Sequence, residues 1–379
     1  MMKKIFIALL CLLVLALSAL YWALSSKKTL MTPFPYSFNQ NASNALKNEL
    51  LNAEAASILI LGDRMGEALN NYTTELEESL AGSFKGPPKI YNWSRPHEGL
   101  HRSLFKLKSL KKLPPIIIYH GASSELFEKR FDVSDKAILL KNFSLYDDEK
   151  IISLIITFPM LSQLFYGKMN YYELGTIKEY KNNLSGTDKM NEKELAFKLF
   201  DYELKEMIEL IKEKKSNLIL ITTPLNLEVA PKETCAGASS SAIVEVQQEL
   251  VEHIRLGNYK NAYPLALELA NETYSNATSF YLLGKIAMGL GELKTAREAL
   301  QKASIFDCSN WRGNAVYNAI LKREALKNQI PLMDFDQLMT SSLSKEGLFI
   351  DEIFPQNIFY QTMIQELKET LKKILSISN

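Results

Sequence analysis

Between residues 57 and 335, five apolar runs of strand length alternate with helical stretches, and this alternation narrows the possible folds more than any other feature. The runs are 57–61, 89–93, 115–119, 218–221 and 332–335. Ile116-Ile117-Ile118 has no polar alternation, as expected of a strand buried on both faces. Helices are expected over 44–56, 64–80, 98–110 and 192–215. The chain is therefore predicted to be α/β, with a parallel sheet covered by helices. Ligands of such sheets bind beyond the carboxyl ends of the strands. Gly62-Asp63, Asn92, Gly121 and Thr222-Thr223-Pro224 fall at those ends.

Acids and bases nearly balance over the 379 residues, with a net charge of +1. No basic stripe with interleaved aromatics is present, so nucleic acid is not an expected partner. The densest basic cluster, Lys106, Lys108, Lys111 and Lys112, lies late in a predicted helix, where cations complement the helix dipole. The histidines show no metal-ligand spacing, and neither metal nor cofactor is expected.

Residues 1–4 form a short basic tail before an apolar run over 5–24. A run of ~20 residues gives a helix of ~30 Å, enough to cross a bilayer. Tyr21 and Trp22 suit its interfacial end. The run exceeds the ~7–15 apolar residues of a cleaved signal, and Ala16-Leu17-Ser18 is a poor cleavage site. The expectation is a single-pass anchor with the body on the extracytoplasmic, periplasmic side; a cleaved signal is the alternative. Residues 25–55 are predicted to be a tether and a helix. The apolar stretch 151–165, interrupted by Pro159, is expected to be a buried helix or a surface helix against the bilayer.

Between the fourth and fifth strands, Leu256-Gly257-Asn258-Tyr259 recurs 34 residues later as Leu290-Gly291-Glu292-Leu293, with Ala262 matching Ala296. Leu-Gly followed by an alanine-rich amphipathic helix at this period resembles tetratricopeptide repeats. About two helical hairpins over 243–306 form an all-α insertion and a candidate surface for a protein partner. Two units are fewer than such repeats need alone, so they are expected to dock on the main body. Cys235 and Cys308 flank this insert. A bridge between them would suit an oxidising compartment and contribute ~4 kcal/mol by chain entropy. Two unrelated buried thiols are the alternative.

The first strand runs into Gly62-Asp63-Arg64, and the last sixty residues hold Asp351-Glu352-Ile353-Phe354-Pro355. With the strand pattern, these motifs resemble the SGNH (GDSL-type) hydrolases over 56–235 and 312–375. The resemblance implies a flavodoxin-like sheet. It also implies a serine nucleophile after Gly-Asp, oxyanion-hole groups in two middle blocks, and a final Asp-x-x-His-Pro. Here Arg64 takes the serine position and Phe354 the histidine position. Ser123, in Gly121-Ala122-Ser123-Ser124, takes that of the oxyanion asparagine. Asn92 fits the second block, while its glycine is either Gly99 or missing. Arginine stays charged and cannot attack a carbonyl, and without histidine no neutral-pH base stands at that position.

The implied protein is a pseudoenzyme of the cell envelope. Its pocket, formed by Gly62, Asp63, Arg64, Asn92, Gly99, Gly121, Ser123 and Asp351, would bind a glycan or small anionic ligand, with Arg64 paired to Asp351. The alternatives are an active acyl or acetyl esterase with a non-standard catalytic set, and a repeat-based scaffold carried on an inert body.

Overall fold

The computed structural model describes residues 5, 10–18, 36–39, 44–82, 88–127, 131, 133, 136, 137, 140, 170–173, 184–235, 240–309, 311–343 and 347–378. The chain forms two compact units. The first comprises Met1–Ala42 and Arg130–Thr176, the second Ser43–Lys129 and Ile177–Asn379.

In the first unit β1 (Tyr36–Asn39) pairs in parallel with the later strand Asn170–Glu173, Tyr36 opposite Asn170. The segment expected to be only tether and helix thus contains a strand, whose partner lies far along the chain, where local pattern gives no hint of it. Residues 5 and 10–18 are helical. Among the described residues no helix is long and apolar enough to cross a membrane. The whole apolar stretch 151–165 and residues 6–9 and 19–24 of the 5–24 run lie outside the described residues.

The second unit opens with α1 (Asn44–Glu54), followed by β2 (Ile58–Gly62). The stretch 64–80, expected as one helix, is broken into α2 (Arg64–Ala68), a 3-10 turn (Leu69–Tyr72) and α3 (Thr73–Leu80). The break falls at Asn70-Asn71, residues of poor helix propensity, and the Thr73 hydroxyl donates to the Asn70 carbonyl at 3.0 Å. Then come β3 (Ile90–Asn92), α4 (Leu100–Ser109), β4 (Ile116–His120), β5 (the Asn170–Glu173 strand of the first unit), α5 (Gly186–Glu213) and β6 (Asn217–Ile221). Helix α5 begins before the expected residue 192 because Ser185 caps it. Its hydroxyl accepts from the Asp188 N–H and donates to the Asp188 carboxylate.

The insert consists of α6 (Ser241–Arg255), α7 (Tyr259–Glu272), α8 (Ala277–Gly289) and α9 (Leu293–Phe306). Gly257 and Gly291, at matching places in the two hairpins, have φ of 71° and 78°, the left-handed conformation in which glycine avoids a Cβ penalty. The chain returns through α10 (Ala315–Asn328), β7 (Leu332–Met333), α11 (Phe335–Thr340) and α12 (Asn357–Ser378).

The sheet order is β3-β2-β4-β6-β7, all parallel. This is the flavodoxin-like 2-1-3-4-5 order. Every residue of β2 and β4 is buried. Side chains alternate across the sheet: Ile58, Ile60, Ile116, Ile118, Ile219 and Ile221 share a core with Leu76, Tyr360, Ile364 and Leu367 of α3 and α12. The opposite face is covered by α4 and α5, which pack on β2 and β6 respectively and on each other.

The insert docks on this body. Tyr263, Tyr281 and Ala287 share a cluster with Leu225, Leu227 and Leu343, the Tyr281 hydroxyl donates to the Glu228 carbonyl, and Arg297 donates to the Thr340 carbonyl. Cys235 and Cys308 are joined by a disulfide that closes the base of the insert.

Candidate functional site

The site is built where β2 and β4 end. Gly62 lies opposite His120 in the register, with φ 147°. A Cβ there would fall inside the His120 carbonyl, so only glycine lets the two strand ends approach this closely. Asp63 follows as the N-cap of α2, one carboxylate oxygen accepting from the Met65 N–H at 2.9 Å. The other accepts from the Ser123 N–H and the Ser123 hydroxyl, both at 2.7 Å. Asp63 is fully buried; burial raises its pKa, and the Ser123 and Met65 donors oppose that rise.

Arg64 turns back over Ser123. Its Nε donates to the Ser123 hydroxyl oxygen at 3.1 Å, and Nη2 donates to the carbonyls of Ser123 at 3.4 Å and Trp311 at 2.8 Å. The guanidinium carbon lies 5.8 Å from the centre of the Phe127 ring, whose neighbour at 4.5 Å is the His97 imidazole. Burial lowers the Arg64 pKa, while Asp63 and then Asp351 raise it. Nη1 makes no hydrogen bond among the described residues.

The expected Arg64–Asp351 ion pair does not form among the described residues. Asp351 turns its carboxylate onto its own loop, accepting from the N–H groups of Ile353 at 2.7 Å and Phe354 at 2.6 Å. This Asx-type turn fixes Phe354 in the half-buried rim. Asp351 reaches Arg64 only as a through-space charge.

The other expected residues divide. Gly121 and Ser123 sit beside Asp63 and Arg64, and a Cβ at Gly121 would strike the Tyr119 hydroxyl. Asn92 is nearby, but its side chain is spent on the backbone: Nδ2 donates to the Gly66 carbonyl at 2.7 Å and Oδ1 accepts from the Ser94 N–H at 3.0 Å. Gly99 is the N-cap position of α4, facing Glu125, whose carboxylate accepts from the Leu100 N–H. Gly99 therefore stands at a helix start against a carboxylate.

Sequence reasoning missed Phe127, Trp311 and the charges around it. Lys232 lies over the Trp311 ring at 4.1 Å and Arg312 at 4.6 Å. The one signal pointing to Trp311 was its place just past Cys308, where the chain re-enters the body.

Among the described residues, the site shows no hydrogen-bonded nucleophile–base pair. The Ser123 hydroxyl donates a hydrogen bond to Asp63, while Arg64 occupies the lone pair that an attack would use. His97 lies beside the site against Phe127, and the other three histidines turn elsewhere. His101 pairs with buried Glu203 at 2.6 Å, and His253 lies near Glu249 on the insert. His120 points into the core against Phe335, and among the described residues neither of its ring nitrogens makes a hydrogen bond of good geometry. Burial pushes His120 down to about 4, the Ile221 backbone only partly opposing it. Among the described residues no imidazole is hydrogen-bonded to Ser94 or Ser123. The grouping of Glu233, Cys235 and Cys308 offers a metal one carboxylate only, because both sulfurs are in the disulfide.

No protein-family model matches the chain, and no curated protein matches it. Among solved structures it is similar to a proposed acylhydrolase from Bacteroides fragilis NCTC 9343. Identity is 12%, covering 89% of this chain and 100% of that one, with a TM-score of 0.39. It is also similar to a GDSL-like lipase from Bacteroides thetaiotaomicron VPI-5482. Here identity is 11%, covering 86% of this chain and 98% of that one, with a TM-score of 0.37.

Proposed function

We propose that this chain is a non-catalytic SGNH hydrolase-like protein of the cell envelope, held by an N-terminal membrane anchor, with a site at the sheet's carboxyl ends for a small anionic or carboxylate-bearing ligand such as an acidic glycan. The observation that carries this reading is the Arg64 guanidinium. It stands at the position following Gly-Asp, bonded to Ser123 and Trp311, with no hydrogen bond from Nη1 among the described residues. A guanidinium with a free donor edge is suited to a carboxylate.

Two further observations support the setting. Ile5, Leu10, Leu12, Leu13, Val14, Leu15 and Leu17 are all large, apolar and exposed, which suits a helix whose surroundings are lipid. The tetratricopeptide-like reading of the insert is supported by its two hairpins and matching glycine turns. Because one face of the insert is docked on its own body, a protein partner is proposed on the outer helices α6 and α7, where Val251, Leu256 and Leu267 are exposed.

The test is direct. The purified protein is offered a p-nitrophenyl ester panel and a fluorophosphonate probe, and the expected result is no turnover above a heat-killed control and no label. Glucuronate is then titrated by thermal shift, with stabilisation expected for the native chain and lost in Arg64→Gln. Turnover or labelling would establish the esterase alternative. Equal shifts in both proteins would remove Arg64 from the site.

A further inference from the structure

The disulfide closing the insert is connected to Arg64 through one short loop. Cys308 adjoins Asp307, whose carboxylate gathers the strap together. It accepts from the N–H groups of Lys232, Glu233 and Ser309, from the Ser309 hydroxyl at 2.6 Å, from the Trp311 indole at 3.2 Å and from Arg312 at 3.4 Å. The Asp307 carbonyl accepts from Lys193, whose ammonium burial pushes down to about 8. Cys308 N–H donates to the Glu233 carbonyl at 3.1 Å, and Thr234 and Asp307 form an antiparallel bridge. Trp311, four residues from Asp307, supplies the carbonyl that holds Arg64 Nη2.

We infer that the Cys235–Cys308 disulfide is a redox control on the Arg64 site: oxidised, it adds a covalent tie to the hydrogen bonds that hold Asp307 and the Trp311 carbonyl against Arg64; reduced, it leaves those hydrogen bonds alone to hold the guanidinium. The inference rests on the proposed role of Arg64 as the ligand anchor. The two sulfurs differ in access, Cys235 being half-buried and Cys308 buried. The attacking thiolate of a dithiol reductant, of the CxxC oxidoreductase class, bonds to Cys235 Sγ. The S–S bond breaks and Cys308 leaves as a thiolate, which takes a proton. The reductant's second thiolate then displaces Cys235 as a thiolate, which takes the reductant's other proton. Two cysteine thiols and one oxidised dithiol result, with two electrons transferred. The Glu233 carbonyl, 3.4 Å from Cys308 Sγ, is an acceptor in place for the new thiol. The insert keeps its docking through Tyr263, Tyr281 and Arg297, none of which depends on the sulfur bond. Reduction therefore removes the covalent tie beside Asp307 while the insert stays docked, and the Trp311 carbonyl is then held through the Asp307 hydrogen bonds alone.

The test needs no ligand. Full-length protein, oxidised or treated with dithiothreitol, is reacted with phenylglyoxal, and modification at Arg64 is timed by peptide mass spectrometry, with exposed Arg255 as internal reference. The expected result is at least threefold faster modification of Arg64 on reduction, reversal on reoxidation, the fast rate in Cys235→Ser/Cys308→Ser whatever the redox state, and an unchanged rate at Arg255. Equal Arg64 rates with both thiols titrating as free would overturn the inference. So would loss of the far-UV circular dichroism signal on reduction, which would make the bond a staple rather than a control. Ester hydrolysis by the native chain would count against the proposed function and leave this readout untouched.

Discussion

Arg64 Nη2 donates to the carbonyl of Trp311 at 2.8 Å, joining the start of α2 to the loop that leaves the insert. This bond takes the place of the Arg64–Asp351 ion pair that the aligned motifs suggested. It ties a charged side chain to a backbone group, and through it to the conformation of a distant loop.

The Arg64 position is therefore expected to tolerate change without gaining chemistry. Arg64→Ser should show no esterase activity, because among the described residues no imidazole is hydrogen-bonded to the serines at this strand end and the triad's relay is not in place. Loss of the bonds to Ser123 and Trp311 should lower stability by about 1–2 kcal/mol. Urea denaturation and a p-nitrophenyl acetate assay on the same preparation check both halves.

Gly62→Ala should be far more damaging than its size suggests. The Cβ would meet the His120 carbonyl, and φ at 147° is unfavourable for any other residue. A cost of roughly 3 kcal/mol or outright failure to fold is expected. Denaturant midpoints, or the soluble yield if none can be measured, would register it. A midpoint equal to that of the native chain would contradict the strand-end geometry.

His120 makes stability sensitive to acid. Its pKa of about 4 in the folded state is below the ordinary value of 6.5. Between these values the unfolded chain binds more protons, so stability rises with pH through this window and falls as pH drops from 6.5 towards 4. His120→Leu should remove up to about 3 kcal/mol of that slope. Melting curves from pH 4.5 to 7.5 would show the variant flatter than the parent.

Asp336 acts in the opposite sense. Burial raises its carboxyl to about 6, with Lys322 opposing and Asp334 adding to the rise. The folded form holds its proton more tightly than the unfolded form, so this group favours folding below pH 4 and loses that advantage as pH rises through 6. Asp336→Asn keeps an oxygen for the Leu225 N–H and should stabilise the protein by up to about 3 kcal/mol at pH 8. At pH 4 little change is expected. An equal or lower melting temperature at pH 8 would count against the desolvation account.

The sheet was readable because its strands are unbroken apolar runs: Ile58 to Leu61 and Ile116 to Tyr119 carry their burial in their composition. The Gly62-Asp63 turn was readable because strand, glycine and capping aspartate are consecutive. Partnerships across the chain were not. Asp351 satisfies its own loop, a choice fixed by backbone path rather than residue type. Trp311 contributes a carbonyl, which every residue possesses. The 3-10 break at Leu69–Tyr72 depends on a balance of small propensities. β1 finds its partner more than a hundred residues away, beyond the reach of any local pattern.

The crossover from β6 to β7 contains the entire insert, and this sets an order of events during synthesis. β7 and α12, which complete one face of the sheet, leave the ribosome after all four insert helices. Until then Ile58, Ile118 and Ile219 lack the cover that Met363, Ile364 and Leu367 later provide. The nascent body thus waits with one apolar face open while its insert can already pack. A chaperone bound during that interval, or a stop codon before α12, would act on the same exposed surface.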